Sequence, residues 1–293
     1  MIDKSSSWPD SFGGLEDNYN KSKVVILPVP YEGTVTYRKG ASRGPAGIID
    51  ASKQLEMYDE ELCKSTYKVG ISTLKPLLLQ QKDKPEDVIN KVKKICECLI
   101  KDNKFVVILG GEHSISLGYY LALKEKYPNL SVVQLDAHAD LREEYEGTKY
   151  NHACVMARIR ESCNKVAQIG VRSLSEEEAL KIKKKNYSMY YAKDIVNRLE
   201  WHNDMLKKLN NDVFITIDAD FFSWDVVADV GTPEPGGIGW YQSLDILKSI
   251  FKRKNVIGFD IVELTPSKEN KESNSCFALA KLLYRLIGYK FFL

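Results

Sequence analysis

Along this 293-residue chain, short apolar runs keep ending in residues that carry chemistry. Val24-Val25-Ile26-Leu27 stops at Pro28, and Val166-Ala167-Gln168-Ile169 at Gly170. Phe105 to Leu109 runs into Gly110-Gly111-Glu112-His113-Ser114, and Val132 to Leu135 into Asp136-Ala137-His138-Ala139-Asp140. Val213 to Ile217 gives way to Asp218-Ala219-Asp220, and Asn255 to Ile261 is followed by Glu263. Runs this short and continuous are the pattern of strands buried on both faces. Residues 69–79 and Tyr187 to Tyr191 read as further extended segments.

Helical stripes lie between them. Pro45 suits the first turn of a helix running to about Leu55. Asp83-Lys84-Pro85-Glu86 has the form of a helix start, and Val88, Val92, Ile95, Cys96 and Leu99 follow at helical spacing. Further helices are expected from near Ser114, over Leu174 to Lys184, over Ile195 to Leu209, and along the stripe Phe277, Ala280, Leu283 and Ile287. The alternation constrains the fold to α/β, with a parallel sheet covered by helices on both faces. No repeat or low-complexity linker interrupts it, so one domain over residues 1–293, with 1–22 as an N-terminal extension within it, is the simplest account.

In such folds ligands bind beyond the carboxyl ends of the strands. His113, Asp136, His138, Asp140, Asp218, Asp220 and Glu263 all fall there. Side chains two apart on an extended chain share a face, so Asp136, His138 and Asp140 can converge on one spot, and Asp218 and Asp220 repeat the spacing. Four carboxylates gathered without counter-charge would repel one another and take up protons, whereas two divalent cations would balance them. An oxygen-rich set with two imidazoles suits Mn²⁺ better than Zn²⁺. Two ions about 3.5–4 Å apart can lower the pKa of a shared water and direct it at an electrophilic carbon, so the expected reaction is metal-assisted hydrolysis.

The chain has two further histidines and other segments open to more than one reading. His152, in Asn151-His152-Ala153 at an expected helix start, could shuttle a proton to a leaving amine or simply cap its helix. Glu263 could accept hydrogen bonds from a cationic substrate or form a salt bridge. His202 reads as exposed. The loop from Tyr31 to Pro45 is either an active-site wall or a surface connection. Cys96 and Cys98 point to different faces of a helix, and the cysteines lack disulfide-dense spacing, as expected of reduced thiols in a cytoplasmic protein. A formal charge of +2, with basic residues scattered, asks for neither nucleic acid nor an anionic membrane. No apolar run approaches the ~20 residues that span a bilayer, and the polar start lacks a signal-peptide core.

Taken together, Gly110 to Ser114, Asp136 to Asp140 and Thr216 to Asp220 resemble the three metal motifs of the ureohydrolases, the family of arginase and agmatinase, in the family's order. The resemblance runs from about Val24 to the C-terminal helix. It implies a three-layer α/β/α sandwich, a binuclear Mn²⁺ centre and hydrolysis of a guanidino group to urea and an amine. It also implies that His113, Asp136, Asp140 and Asp218 hold one ion and that Asp136, His138, Asp218 and Asp220 hold the other. Asp136 and Asp218 would then bridge. Asp140, His152 and Glu263 would serve the reaction, His152 as proton shuttle and Glu263 as the guanidinium partner. The family implies homo-trimers or hexamers.

Within the family, Asp140 to Gly147 and Asn151-His152-Ala153 look like agmatinase, which converts agmatine to putrescine and urea. Glu143, Glu144 and Glu146 make the loop after the second motif acidic, which would suit the far amine of agmatine, unless they are merely solvated. Guanidinobutyrate or arginine hydrolysis, and an inactive metal-binding homologue, are the alternatives. The last rests on Ser223-Trp224 and Ala228-Asp229, where many members carry Asp-Pro and, later, Pro-Gly.

Overall fold

The computed structural model describes residues 11–16, 18–80, 83–196, 198, 201–268 and 273–293. Eight strands form one sheet: β1 (Val24–Val29), β2 (Ile71–Thr73), β3 (Phe105–Gly110), β4 (Ser131–Leu135), β5 (Val166–Val171), β6 (Ser188–Tyr191), β7 (Asp212–Asp218) and β8 (Asn255–Val262). Their order is β2-β1-β3-β8-β7-β4-β5-β6, and every pairing is parallel. The helices are α1 (Gly44–Ser52), α2 (Pro85–Lys101), α3 (Ser116–Lys126), α4 (Val155–Arg160), α5 (Glu176–Lys185), α6 (Ala192–Ile195), α7 (His202–Lys208), α8 (Trp240–Arg253) and α9 (Asn274–Phe292).

Side chains that alternate along a strand alternate between two separate cores. Val24, Ile26, Val107, Val133 and Ile215 pack with α1, α8 and α9 on one face of the sheet. Val25, Leu27, Val106, Val132 and Phe214 pack with α2, α3 and α4 on the other. This two-sided burial makes the fold an α/β/α sandwich, and each Val, Leu or Ile so buried contributes about 1.5–3 kcal/mol. The stripe on α2 is buried at Val88, Val92, Cys96 and Leu99, while Cys98 is exposed, so the two cysteines do point apart.

Several boundaries differ from the sequence expectation. The extended segment at 69–79 is regular strand only over Ile71–Thr73; beyond it the Leu74 and Leu77 amides still donate to Ile26 O and Pro28 O of β1, while Pro76 between them has no N–H to offer. The helix expected over Ile195 to Leu209 is two pieces, α6 ending at Ile195 and α7 starting at His202. Residues 197, 199 and 200 between them lie outside the described residues, as do 1–10 and 17 of the N-terminal extension. The rest of that extension is tied down: the Phe12 amide donates to Thr73 Oγ1 and the Gly13 amide to Ser52 Oγ, and the Phe12 ring is buried.

Away from the strand ends, α9 brings a buried arginine to the loop after α1. Arg285, 4% exposed, places Nε 2.5 Å from Asp59 Oδ2, Nη2 2.5 Å from Glu60 and Nη1 2.7 Å from Glu61. Tyr289 adds a hydrogen bond to Glu61. The arginine hydrogen bond lowers the pKa of Glu60. At Glu61 burial raises the pKa, but bonds from Lys248, Tyr289 and Arg285 outweigh it and the net direction is down.

Candidate active site

The four central strands, β3, β8, β7 and β4, are the ones whose carboxyl ends carry the acids and histidines. Their ends are bound to one another through the backbone. Gly111 donates to Val29 O, Glu112 to Tyr31 O, and Glu263 to Gly111 O, so the segments after β1, β3 and β8 lie edge to edge. A Cβ at Gly111 would stand 1.9 Å from the Tyr31 oxygen, so only glycine fits there. Asp140 and Glu263 adopt left-handed backbone, with φ of 52° and 63°. For a non-glycine residue that costs of order 1–3 kcal/mol and is characteristic of functional sites.

His113 Nδ1 lies 3.1 Å from Asp136 Oδ2 and 3.2 Å from both Asp140 Oδ2 and Asp218 Oδ2. His138 Nδ1 lies 2.9 Å from Asp220 Oδ2 and 3.7 Å from Asp136 Oδ1. Among the described residues two groups have atoms close enough to hold a metal ion, His113-Asp136-Asp140 and Asp136-His138-Asp220, and Asp136 belongs to both.

The donor chemistry fits a cation. His113 Nε2 is 2.8 Å from Thr216 Oγ1, whose own proton goes to Ser116 Oγ. The ring proton therefore belongs on Nε2, and Nδ1 presents a lone pair to three carboxylates. That buried atom makes no hydrogen bond. Without a cation, protons must fill the gap. Burial and neighbouring Asp136 raise Asp140 to about 7, and burial with Asp220 and Asp136 raises Asp218 well above its usual range. At His138 burial disfavours the charged form, but Asp220 and Asp136 outweigh it and push the pKa to about 12.

The cluster lines a cavity of about 260 Å³ whose wall includes His113, His138, Asp140, His152, Asp218 and Glu263. His152 opens a short 3-10 helix that leads into α4, and Asn151, not His152, supplies the cap by accepting from the Ala153 amide. Its Nδ1 and its amide both lie 3.1 Å from Thr34 Oγ1, and Thr34 donates to Glu112 Oε1 at 2.7 Å. Burial, with the charges of His113 and His138, lowers His152 to about 4. Glu263 accepts from the His113 amide at 2.7 Å, and burial, then the nearby Glu112 carboxylate, raises it to about 8.

The Tyr31 to Pro45 loop is a wall of this site, since Thr36 lines the cavity. The loop from Asp140 to Gly147 is a wall too, but not through its glutamates. Glu143 turns outward to Arg158 and Lys181, and Glu143, Glu144 and Glu146 are absent from the lining, where Arg142 and Tyr145 stand stacked with 4.8 Å between guanidinium and ring. Trp224 is half-exposed and lies outside the lining too. The neighbouring segment is docked on α9 instead: Ser275 Oγ accepts from the Ala228 and Asp229 amides, and Ser273 donates to Asp229. His202 is partly buried rather than exposed, with its ring edge-on to Trp201.

Sequence reasoning missed several buried polar residues that support the cluster. Glu112 accepts from the Thr34 amide and from the Thr34 and Ser114 hydroxyls. Gln134 donates to Asp136 Oδ2 at 2.6 Å and to Asp140 Oδ2 at 3.2 Å. The available signal was a polar residue inside an apolar strand, two positions before Asp136 and hence on its face. Arg172 is fixed by the carbonyls of Asp220, Glu234 and Pro235, which pins the loop over the second group.

An eight-stranded parallel sheet with acids and histidines collected at its central strand ends is the arrangement of an α/β/α enzyme with groups that could bind metal. The sequence profile of the arginase family matches residues 22–288, and the chain belongs to that family of ureohydrolases. It is 40% identical to the N(1)-aminopropylagmatine ureohydrolase of Synechocystis sp., over 98% of this chain and 95% of that protein. It is 34% identical to the agmatinase of Pyrococcus horikoshii, over 90% of each. Among solved structures, the agmatine ureohydrolase of Thermoplasma volcanium superposes with a TM-score of 0.84 at 29% identity, over 94% of this chain and 92% of that one. Among the described residues no helix is long and apolar enough to cross a membrane.

Proposed function

We propose that this chain is a binuclear Mn²⁺ ureohydrolase that hydrolyses agmatine to putrescine and urea. The observation that carries the reading is the pair of ligand groups sharing Asp136 at the base of a cavity walled by His152 and Glu263. His113, Asp136, Asp140 and Asp218 would hold one ion, and Asp136, His138, Asp218 and Asp220 the other. Bound there, two such ions would supply a water of lowered pKa as the nucleophile.

The chain's own residues do the rest. Glu263 binds the guanidinium: a buried carboxylate that holds its proton to about pH 8 when alone gives it up to a cation at hydrogen-bond distance. His152 donates Nδ1–H to Thr34, whose own proton goes to Glu112, so its Nε2 is an acceptor on the cavity side. That nitrogen takes a proton from the attacking water and passes it to the departing amine. Asp140, in its left-handed backbone, orients its carboxylate toward His113 rather than the loop beyond. The chain works as one domain over residues 1–293, as a cytoplasmic homo-oligomer, trimer or hexamer.

Two specific observations favour related substrates. The name of the 40% identical Synechocystis relative supports N(1)-aminopropylagmatine. Arg142 in the lining supports a guanidino acid such as guanidinobutyrate, whose carboxylate it could meet. The test is urea release by the Mn²⁺-loaded protein from agmatine, N(1)-aminopropylagmatine, arginine and guanidinobutyrate side by side. Agmatine is expected to be preferred over arginine and guanidinobutyrate. A preference for a guanidino acid would reject the agmatine assignment, and no urea from any of the four would overturn the enzymatic reading.

A further inference from the structure

Behind the cluster, on the side away from the cavity, a line of polar side chains runs through an otherwise apolar layer. Gln134 on β4 and Gln168 on β5 are fully buried and directly paired across the two strands. Arg160 at the end of α4 places Nε and Nη2 at 3.2 and 3.0 Å from Gln168 Oε1. Gln168 Nε2 then donates to Gln134 Oε1 at 2.6 Å and to Ala139 O at 2.7 Å. Gln134 Nε2 ends the line on Asp136 Oδ2 and Asp140 Oδ2.

The direction of every bond is forced. A guanidinium can only donate, so Gln168 must turn its oxygen to Arg160 and its amide N–H groups inward. Gln134 must then accept from Gln168, and its own N–H groups face the carboxylates. Carboxylates that bind a cation are ionised and can only accept, so the two ends of the line agree. Arg160 has no carboxylate partner among the described residues; it stacks 3.8 Å over the Tyr187 ring, and burial lowers its pKa to about 10. A cation held this way without an acid beside it has its positive end pointed at an amide chain.

We propose that Arg160, Gln168 and Gln134 are positioning residues that act as a one-way relay, fixing the Oδ2 atoms of Asp136 and Asp140 and part-neutralising them for cation binding on the His113 side. The two Oδ2 atoms that Gln134 holds are the ones that face His113 Nδ1, whereas Asp136 Oδ1 faces the His138 group. Gln168 also clamps the Ala139 carbonyl, between the His138 and Asp140 side chains. The relay therefore serves one ion more than the other. The inference rests on the metal role proposed above for Asp136 and Asp140.

Mn²⁺ titration followed by the electron paramagnetic resonance signal of the free ion tests it without reference to turnover. Wild type is expected to bind two ions, and Gln134→Leu to weaken one of them by roughly 10–100-fold while changing the other less. Arg160→Met should weaken the same ion several-fold, and Arg160→Lys, which keeps a cationic donor, should restore most of the loss. Because the residues act in series, the double variant Gln134→Leu/Arg160→Met should bind no worse than Gln134→Leu alone. Should Gln134→Leu fail to fold, the Arg160→Met and Arg160→Lys pair decides alone. Affinities within twofold of wild type in a Met variant that merely melts earlier, or losses that add, would reduce the line to packing and overturn the relay. A wild type that binds no Mn²⁺ would instead bring down the metal reading beneath it.

Discussion

Two regions of this molecule gather acids, and they meet the same electrostatic problem in opposite ways. Around Arg285, three acids meet a cation the chain itself supplies, and the pKa values of Glu60 and Glu61 fall. At the strand ends, four acids meet two imidazoles, Asp140 and Asp218 are driven up, and His113 Nδ1 is left without a hydrogen bond. The first cluster finds its counter-charge within the chain, since Lys248 and Lys281 also reach Glu61 and Glu60. The second, on the function proposed above, takes its counter-charge from bound cations. A buried acid therefore speaks for structure or for function according to whether its counter-charge is covalently part of the fold.

The sharpest way to break this contrast is to remove one acid from each side. Asp136→Asn should abolish the shared ligand, and activity should fall by more than the 10–100-fold that loss of an outer partner typically costs. Urea assays and Mn²⁺ titration on the same sample check it. Arg285→Met should do the reverse. It strands the buried Asp59 carboxylate and should cost about 3–5 kcal/mol of stability in denaturant titrations, with metal stoichiometry unchanged in the fraction that folds.

Added metal sharpens the comparison further. Saturating Mn²⁺ at about 100 times its dissociation constant should stabilise wild type by about 2.7 kcal/mol per independent ion, and stabilise Asp136→Asn much less. A smaller effect is expected in acid. Glu60 and Glu61 have depressed pKa values, so their contribution is present above the unfolded carboxylate value near about 4.3 and is lost as pH falls through the lower folded value. Melting temperature should drop along that limb in wild type and drop less steeply in Arg285→Met. Smallest of all, Glu143→Gln should change stability by no more than about 1 kcal/mol and leave agmatine turnover alone, since its ion pairs are exposed and face away from the cavity. A marked rise in KM for agmatine would return Glu143 to the site.

What the sequence made legible follows from local rules. Apolar runs closed by Glu112-His113, Asp136 to Asp140, Asp218 to Asp220 and Glu263 are strand ends because burial and period are properties of a few adjacent residues. That these four strands are neighbours is not local, since β8 enters between β3 and β7 and no periodicity encodes that order. The contact of Thr34 with His152, across 118 residues, was out of reach for the same reason. Composition misled at Glu143: three acids in a row of loop residues suggested a cation site, but Arg158 and Lys181, from α4 and α5, had already claimed one of them. Gln134 was visible in the sequence as a polar interruption of an apolar strand, and what it touches was not.

The strand order also sets a timetable for synthesis. His113 leaves the ribosome on the β3 side of the gap, and Asp136, His138, Asp140, Asp218 and Asp220 leave on the β4 and β7 side. Until residues 255–262 have been made and threaded between them, the two halves have no hydrogen-bonded edge in common. A nascent chain lacking its last strand can therefore hold at most the His138 group in register. On the proposed ligand set, ion capture would be a late event, and any truncation before Val262 should yield a protein that forms most of its helices yet never loads both ions.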